Sequence, residues 1–196
     1  MSEETFQRTL EQLCEFPQKI KTLSFCGVGE PLLHKNLPSM IAQVKARNIA
    51  DRINIVTNGI ALTEKKSTDI IEAGLNSMKI SLQGIDAQSY LDICGCQLDF
   101  DRFLNNIDYL YQHKGNCNIG IKIADIALYR GKNDDEKLQA EERYKQLFGD
   151  KCDQLGIERI VPVFQDLDYS KVEGISGHKS RYSITERNAK VCSQLF

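Results

Sequence analysis

The sequence predicts an α/β fold built on a parallel sheet, and three observations carry that prediction. Short β-branched or aromatic runs begin near residues 21, 52, 78, 118 and 157. A helical segment lies between each run and the next, the spacing of right-handed βαβ units rather than of hairpins. Three consecutive runs also end in polar, glycine-bearing turns, as strands do where a parallel sheet meets its ligand.

The elements follow in order. Phe6, Leu10 and Leu13 recur at helical spacing behind Ser2, a side chain able to cap, which predicts an amphipathic first helix. Lys21 to Cys26 reads as a strand, Pro38 to Asn48 as a helix, Arg52 to Val56 as a strand, and Glu64 to Ala73 as a helix ended by Gly74. Met78 to Leu82 is a short strand. Phe100, Phe103, Leu104, Ile107, Leu110 and Tyr111 then trace one helical face before a strand from Asn118 to Leu128. A charged helix from Asp135 to Phe148 and a strand from Ile157 to Phe164 close the series. Residues 165–196 change character: a polar stretch with Gly174 and Gly177 reads as a linker, and Val191 to Phe196 as the beginning of a second domain.

Composition narrows the function classes. The chain has 196 residues, enough for one ordinary domain or one domain and part of another, with Lys+Arg 25 against Asp+Glu 27. These charges are interspersed and leave a net charge of -2, so no basic stripe points to nucleic acid or an anionic membrane. No apolar run approaches the roughly 18 residues of a membrane span, and the opening Met-Ser-Glu-Glu-Thr is acidic where a signal peptide is basic. A cytoplasmic location is expected. The seven cysteines, an odd number without repeated spacing, fit free thiols in a reducing compartment. Cys94-Gly95-Cys96 is the close pair, and it lacks the second pair that a zinc site needs.

Phe25 to His34, reading F-C-G-V-G-E-P-L-L-H, is the most informative stretch. Gly27 and Gly29 allow a sharp bend and close approach of a ligand, Glu30 places a carboxylate at the strand's C-terminal edge, and Pro31 fixes the exit. Alone, this would also suit a tight βα turn in any α/β enzyme. The next two exits are Thr57-Asn58-Gly59 and Ser81-Leu82-Gln83-Gly84, each pairing a hydrogen-bonding side chain with a permissive glycine. All three fall on one rim of a parallel sheet.

In this order the motifs resemble the radical S-adenosylmethionine (radical SAM) superfamily, and the subgroup with a C-terminal SPASM auxiliary-cluster domain. The resemblance runs over nearly the whole chain. It implies a partial (βα)6 TIM-like barrel of parallel strands, residues 1–164, lacking the first strand, with a linker and the start of a SPASM-type domain over 165–196. By resemblance, Val28, Gly29 and Glu30 hold the methionine amino group, Ser81 contacts the ribose or carboxylate side, and Asn58 lines the cofactor. Lys190-Val191-Cys192 is similar to the opening of a SPASM domain, with Cys192 as ligand of an auxiliary 4Fe-4S cluster. The activity implied is hydrogen-atom abstraction from a peptide, protein or small metabolite, using S-adenosylmethionine, a radical-initiating 4Fe-4S cluster and an electron donor.

The donor chemistry suits that cofactor, since an ammonium needs acceptors and a ribose needs neutral partners. The sequence departs from the family pattern in lacking the Cys-x3-Cys-x2-Cys loop that holds the initiating cluster. Val28 replaces the first glycine, Gln83 stands where aspartate is frequent, and Cys94 stands near an arginine position of the SPASM enzymes. The chain is therefore expected to be truncated at both ends and inactive by itself. Lys122, in an Ile-rich strand, must find an anion, and the cofactor carboxylate and Asp125 are equal candidates. His34 reads as a solvated cap, and His113 and His178 as surface residues. Two alternatives stand beside the enzyme: a non-catalytic cofactor-binding remnant, and an unrelated α/β nucleotide-binding enzyme.

Overall fold

In the computed structural model, which describes residues 1–160, five strands pair in chain order into one parallel sheet. They are β1 (Ile20–Phe25), β2 (Ala50–Thr57), β3 (Ser77–Leu82), β4 (Asn118–Ala124) and β5 (Gln154–Glu158). Successive strand residues point to opposite faces, so each strand carries two residue sets. Ile53 and Ile55 on β2, Met78, Ile80 and Leu82 on β3, and Ile119, Ile121 and Ile123 on β4 are all buried on the helix-packed face. Each such side chain contributes about 1.5–3 kcal/mol by leaving water. The inner face carries the other set, in rows fixed by the register. One row runs Ser24, Asn54, Ser77 and Asn118, the next Val56, Lys79, Gly120 and Gln154, and the next Ser81, Lys122 and Gly156. Within the first row, Asn54 Nδ2 donates to Ser24 Oγ at 3.1 Å and Ser77 Oγ donates to Asn54 Oδ1 at 3.0 Å.

Helices close the outer face because their apolar residues recur at helical spacing and their ends are capped. α1 (Glu3–Cys14) is capped by Ser2, buries Phe6 and Leu10, and brings the Phe6 ring to 6.4 Å from Phe25. A 3-10 turn (Pro31–Leu33) leads to α2 (Leu37–Ala46) after β1, and α3 (Glu64–Glu72), capped by Thr63, follows β2. α4 (Ala87–Cys94) and α5 (Phe100–Gln112) follow β3, the latter burying Phe103, Ile107 and Leu110. α6 (Asp125–Tyr129) and α7 (Asp134–Phe148) follow β4, and Asn133 with Glu136 forms a capping box on α7. The buried Tyr144 of α7 sets its hydroxyl 3.3 Å from the Ile121 carbonyl and 3.0 Å from that of Gly156, bridging the last two strands. No helix among the described residues is long and apolar enough to cross a membrane.

Three expectations are corrected. The strand expected through Leu128 ends at Ala124, because Asp125 Oδ1 accepts the Ile126 N–H at 2.8 Å and the Ile160 N–H at 3.1 Å and turns the chain into α6. The last strand begins at Gln154 rather than Ile157, with Leu155 and Ile157 partly buried on its helix-packed side and the expected residues 161–164 outside those described. Helix α4 was not expected. Asp86 caps it by accepting the Ser89 N–H at 2.7 Å, Tyr90 is fully buried, and Gly95, at φ 64, closes it.

Candidate functional site

The β1 exit is open. Residues 26–29 are all exposed, and a Cβ added at Gly27 or Gly29 would meet nothing within 4 Å. Neither glycine has positive φ, so the expected sharp bend is not what places them; they leave the rim clear instead. Glu30 turns back toward the sheet. Its Oε1 accepts the Leu32 N–H at 3.0 Å and the Thr57 hydroxyl at 2.5 Å, and its Oε2 accepts the Asn58 N–H at 2.8 Å. One carboxylate thus joins the exits of β1 and β2.

The second exit is tightly built. Thr57 is buried, and its Oγ1 also accepts the Gly59 N–H at 2.9 Å. Glycine is needed at 59 on two counts: its φ is 76, and a side chain there would meet Ile80 Cγ2 at 3.0 Å and Phe103 Cε2 at 3.3 Å. Asn58 Oδ1 accepts the Ile60 N–H at 2.9 Å, while its amide NH2 has no protein partner among the described residues. Thr57 pairs with Ile80, so extending that register by one residue sets Asn58 level with Ser81, which pairs with Lys122. Asn58, one residue past the end of β2, therefore falls at the level of the Ser81–Lys122 pair. The Ser81 hydroxyl, like the Asn58 amide, lacks a protein partner among the described residues.

Ser81, Gln83, Ile93, Lys122, Arg130 and Glu158 line a cleft of about 600 Å³ at this end of the sheet. Lys122 pairs with Glu158, not with Asp125. The register explains the correction: Lys122 and Ala124 share a face, and Ala124 is level with Glu158. Both charged groups are more than a third exposed, so the pair adds about 0–1 kcal/mol to stability. The third exit is held by α4, since a Cβ at Gly84 would lie 2.4 Å from Ser89 Cβ, and the Gln83 N–H donates to the Tyr90 hydroxyl at 3.4 Å. Burial pushes the Tyr90 phenol up to about 12. Thr57, Glu158 and Tyr90 were not foreseen from sequence; the parity of Thr57 with Ile53 and Ile55 was the available signal for its burial.

Of the implied groups, S-adenosylmethionine fits the residues present. The exposed backbone of residues 26–29, the open flanks of both glycines and the unpartnered polar groups of Asn58 and Ser81 match its ammonium, carboxylate and ribose. An iron-sulfur cluster has no ligand set among the described residues. The sequence has no Cys-x3-Cys-x2-Cys, and among the described residues no three His, Cys, Asp or Glu side chains gather where a metal could sit. The described cysteines are free thiols, and burial pushes Cys117 up to about 12 and raises Cys152. Cys192 and the linker lie outside the described residues.

The sequence model of the Radical SAM superfamily matches residues 1–142. GTP 3',8-cyclase of Staphylococcus carnosus is 30% identical over 156 residues, covering 78% of this chain and 42% of that protein. GTP 3',8-cyclase of Chlorobaculum tepidum is 28% identical over 179 residues, covering 83% and 52%. The chain thus spans about half the length of the curated relatives it matches. A structure of TYW1 with a lysine-pyruvate adduct bound aligns at TM-score 0.54 and 25% identity, over 86% of this chain and 48% of that one. Streptococcus suis SuiB bound to S-adenosylmethionine aligns at TM-score 0.51 and 15% identity over 76% and 32%, a likeness of fold alone. The five parallel strands are compatible with a partial TIM-like barrel, and the reading as an unrelated nucleotide-binding enzyme falls away. With the family's sequence model covering most of its length and its strand exits carrying the polar rim, this chain belongs to the radical SAM superfamily.

Proposed function

We propose that the rim made by the exits of β1, β2 and β3 binds S-adenosylmethionine, in an enzyme that abstracts a hydrogen atom from a peptide, protein or small molecule. The observation that supports this most is the coincidence of open backbone at residues 26–29 with unpartnered polar groups on Asn58 and Ser81, on adjacent strand exits. Carbonyl oxygens around Val28 and Gly29, with the remaining acceptor capacity of Glu30, take the cofactor's ammonium. Asn58 and Ser81 take the ribose hydroxyls or the carboxylate. Lys122, balanced by Glu158, stands next in the row and can turn to a cofactor or substrate anion. When bound, the cofactor would supply a carbon radical for hydrogen abstraction, and the chain's own residues supply its orientation.

The family's initiating 4Fe-4S cluster and an electron donor belong to this reading, as does an auxiliary cluster at Cys192 in a SPASM-type domain beginning within residues 165–196. A reducing cytoplasm is the proposed compartment. The names of the curated relatives make a purine nucleotide the first substrate to try. A second reading, non-catalytic cofactor binding, is favoured by the missing cysteine motif.

Equilibrium dialysis with labelled S-adenosylmethionine tests the site. Glu30→Ala and Ser81→Ala are each expected to weaken binding about 5- to 30-fold, the loss of one or two charge-assisted or neutral hydrogen bonds. Unchanged affinity in both would remove the assignment. One 4Fe-4S absorbance equivalent per chain after anaerobic reconstitution would contradict the non-catalytic reading.

A further inference from the structure

The Glu30 carboxylate has about four acceptor sites, two on each oxygen. The Leu32 N–H and the Thr57 hydroxyl fill those of Oε1, and the Asn58 N–H takes one on Oε2. A single site remains, on Oε2. Which site remains is decided by Thr57: the two N–H donors are backbone groups and cannot leave, whereas the hydroxyl is the one side-chain donor that ties the carboxylate to the sheet. That hydroxyl is itself locked, because it accepts the Gly59 N–H at 2.9 Å in a turn that needs glycine, and the residue is 3% exposed. Its rigidity comes from the core, and its effect is felt at the rim.

We propose that Thr57 is a positioning residue, which orients Glu30 so that the open acceptor site on Oε2 is the one offered to the amino group of the cofactor's methionine moiety. This rests on the reading of the rim given above. Without the hydroxyl, Glu30 can rotate about its side-chain torsions, and the acceptor is presented in several directions rather than one. Thr57 touches no ligand in this scheme and acts through Glu30. The effect it exerts through Glu30 is therefore confined to ligands that carry the amino acid moiety.

The test compares S-adenosylmethionine with 5'-methylthioadenosine, which keeps the adenosine and the S-methyl group, has a neutral thioether in place of the sulfonium, and lacks the amino and carboxyl groups. Both are titrated by equilibrium dialysis against the wild-type chain and against Thr57→Val, Thr57→Ser, Glu30→Ala and Glu30→Gln, with thermal melts alongside. Thr57→Val is expected to lose about tenfold in affinity for S-adenosylmethionine and nothing for 5'-methylthioadenosine. Thr57→Ser, which restores the hydroxyl, is expected to bind both within about twofold of wild type. Should Thr57→Val not fold, Thr57→Ala takes its place with the same expectations.

Wild-type affinity for S-adenosylmethionine in Thr57→Val would overturn the proposal, as would equal losses for both ligands or a Thr57→Ser variant as weak as Thr57→Val. If both Glu30 variants leave the ratio of the two affinities unchanged, or the wild-type chain does not prefer S-adenosylmethionine, the reading of the rim fails and Thr57's role with it. If the Glu30 variants collapse the ratio and Thr57→Val does not, only the positioning role fails.

Discussion

A Cβ added at Gly59 would meet Ile80 at 3.0 Å and one added at Gly29 would meet nothing within 4 Å, and this separates glycines needed by the fold from glycines that leave room for a ligand. Gly59→Ala combines a left-handed φ of 76 with contacts against Ile80 and Phe103, so it is expected to lower unfolding free energy by about 1–3 kcal/mol in urea titrations. Gly29→Ala is expected to stay within about 0.5 kcal/mol of wild type in the same titration, since it lies exposed without positive φ. A loss at Gly29 as large as that at Gly59 would show that the β1 exit is packed rather than open. The placing of Glu30, Asn58 and Ser81 at strand exits was legible in the sequence because each stands where an apolar run gives way to a permissive turn. Thr57 was not, since a threonine at the end of a strand reads as strand propensity and nothing in one sequence reveals which carboxylate it meets. Lys122 shows the same limit. Asp125 was the nearer acid along the chain, but parallel register decides neighbours across strands, and register is a tertiary property.

At the scale of elements, the segments with sustained periodicity were legible and the short ones were not. Helix α5 announced itself through six apolar residues on one face, whereas α4 spans eight residues with one fully buried side chain, Tyr90. Its signals were local: Asp86 at the N-cap and Gly95 past the end. The end of β4 was missed because Ile126 and Leu128 continue an apolar run whose backbone the Asp125 carboxylate diverts. The cap of α4 matters beyond its own helix, since α4 carries Tyr90 under the β3 exit and Ile93 into the cleft. Asp86→Ala removes the acceptor of the Ser89 N–H and is expected to cost about 1 kcal/mol, with faster amide exchange along residues 87–94. Asp86→Asn keeps an acceptor and is expected to recover most of that loss. Unchanged exchange in Asp86→Ala would mean that the burial of Tyr90 alone holds the helix.

Over the whole molecule, buried acids tie stability to alkaline pH. Burial raises Cys117 from 9.0 to about 12 and Tyr90 from 10.0 to about 12, and it raises Tyr144 and Cys152 as well. Between its unfolded and folded values each group holds a proton in the native state that the unfolded chain has released, so stability falls as pH rises through that window. Above neutral pH, urea unfolding is expected to show a free energy that declines as pH rises through the unfolded thiol value of 9.0 and on toward about 12. Stability that stays level to pH 11 would mean that these groups ionise in place or that the core admits water. The parallel sense of the five strands was legible from the helical crossovers between them, and their sequential order from the resemblance to a partial barrel.

The division of each strand into a helix-packed set and an inner set has a consequence for descent. Ile80, Ile121 and Ile123 keep the chain folded, while Lys79, Gly120, Lys122 and Gly156 occupy the alternate positions on the inner face, where Lys122 lines the cleft. A lineage can rewrite every second residue of these strands and change what the sheet handles without touching the residues that hold it together. Two inheritances, one of shape and one of chemistry, are interleaved in the same strands and free to diverge at different rates.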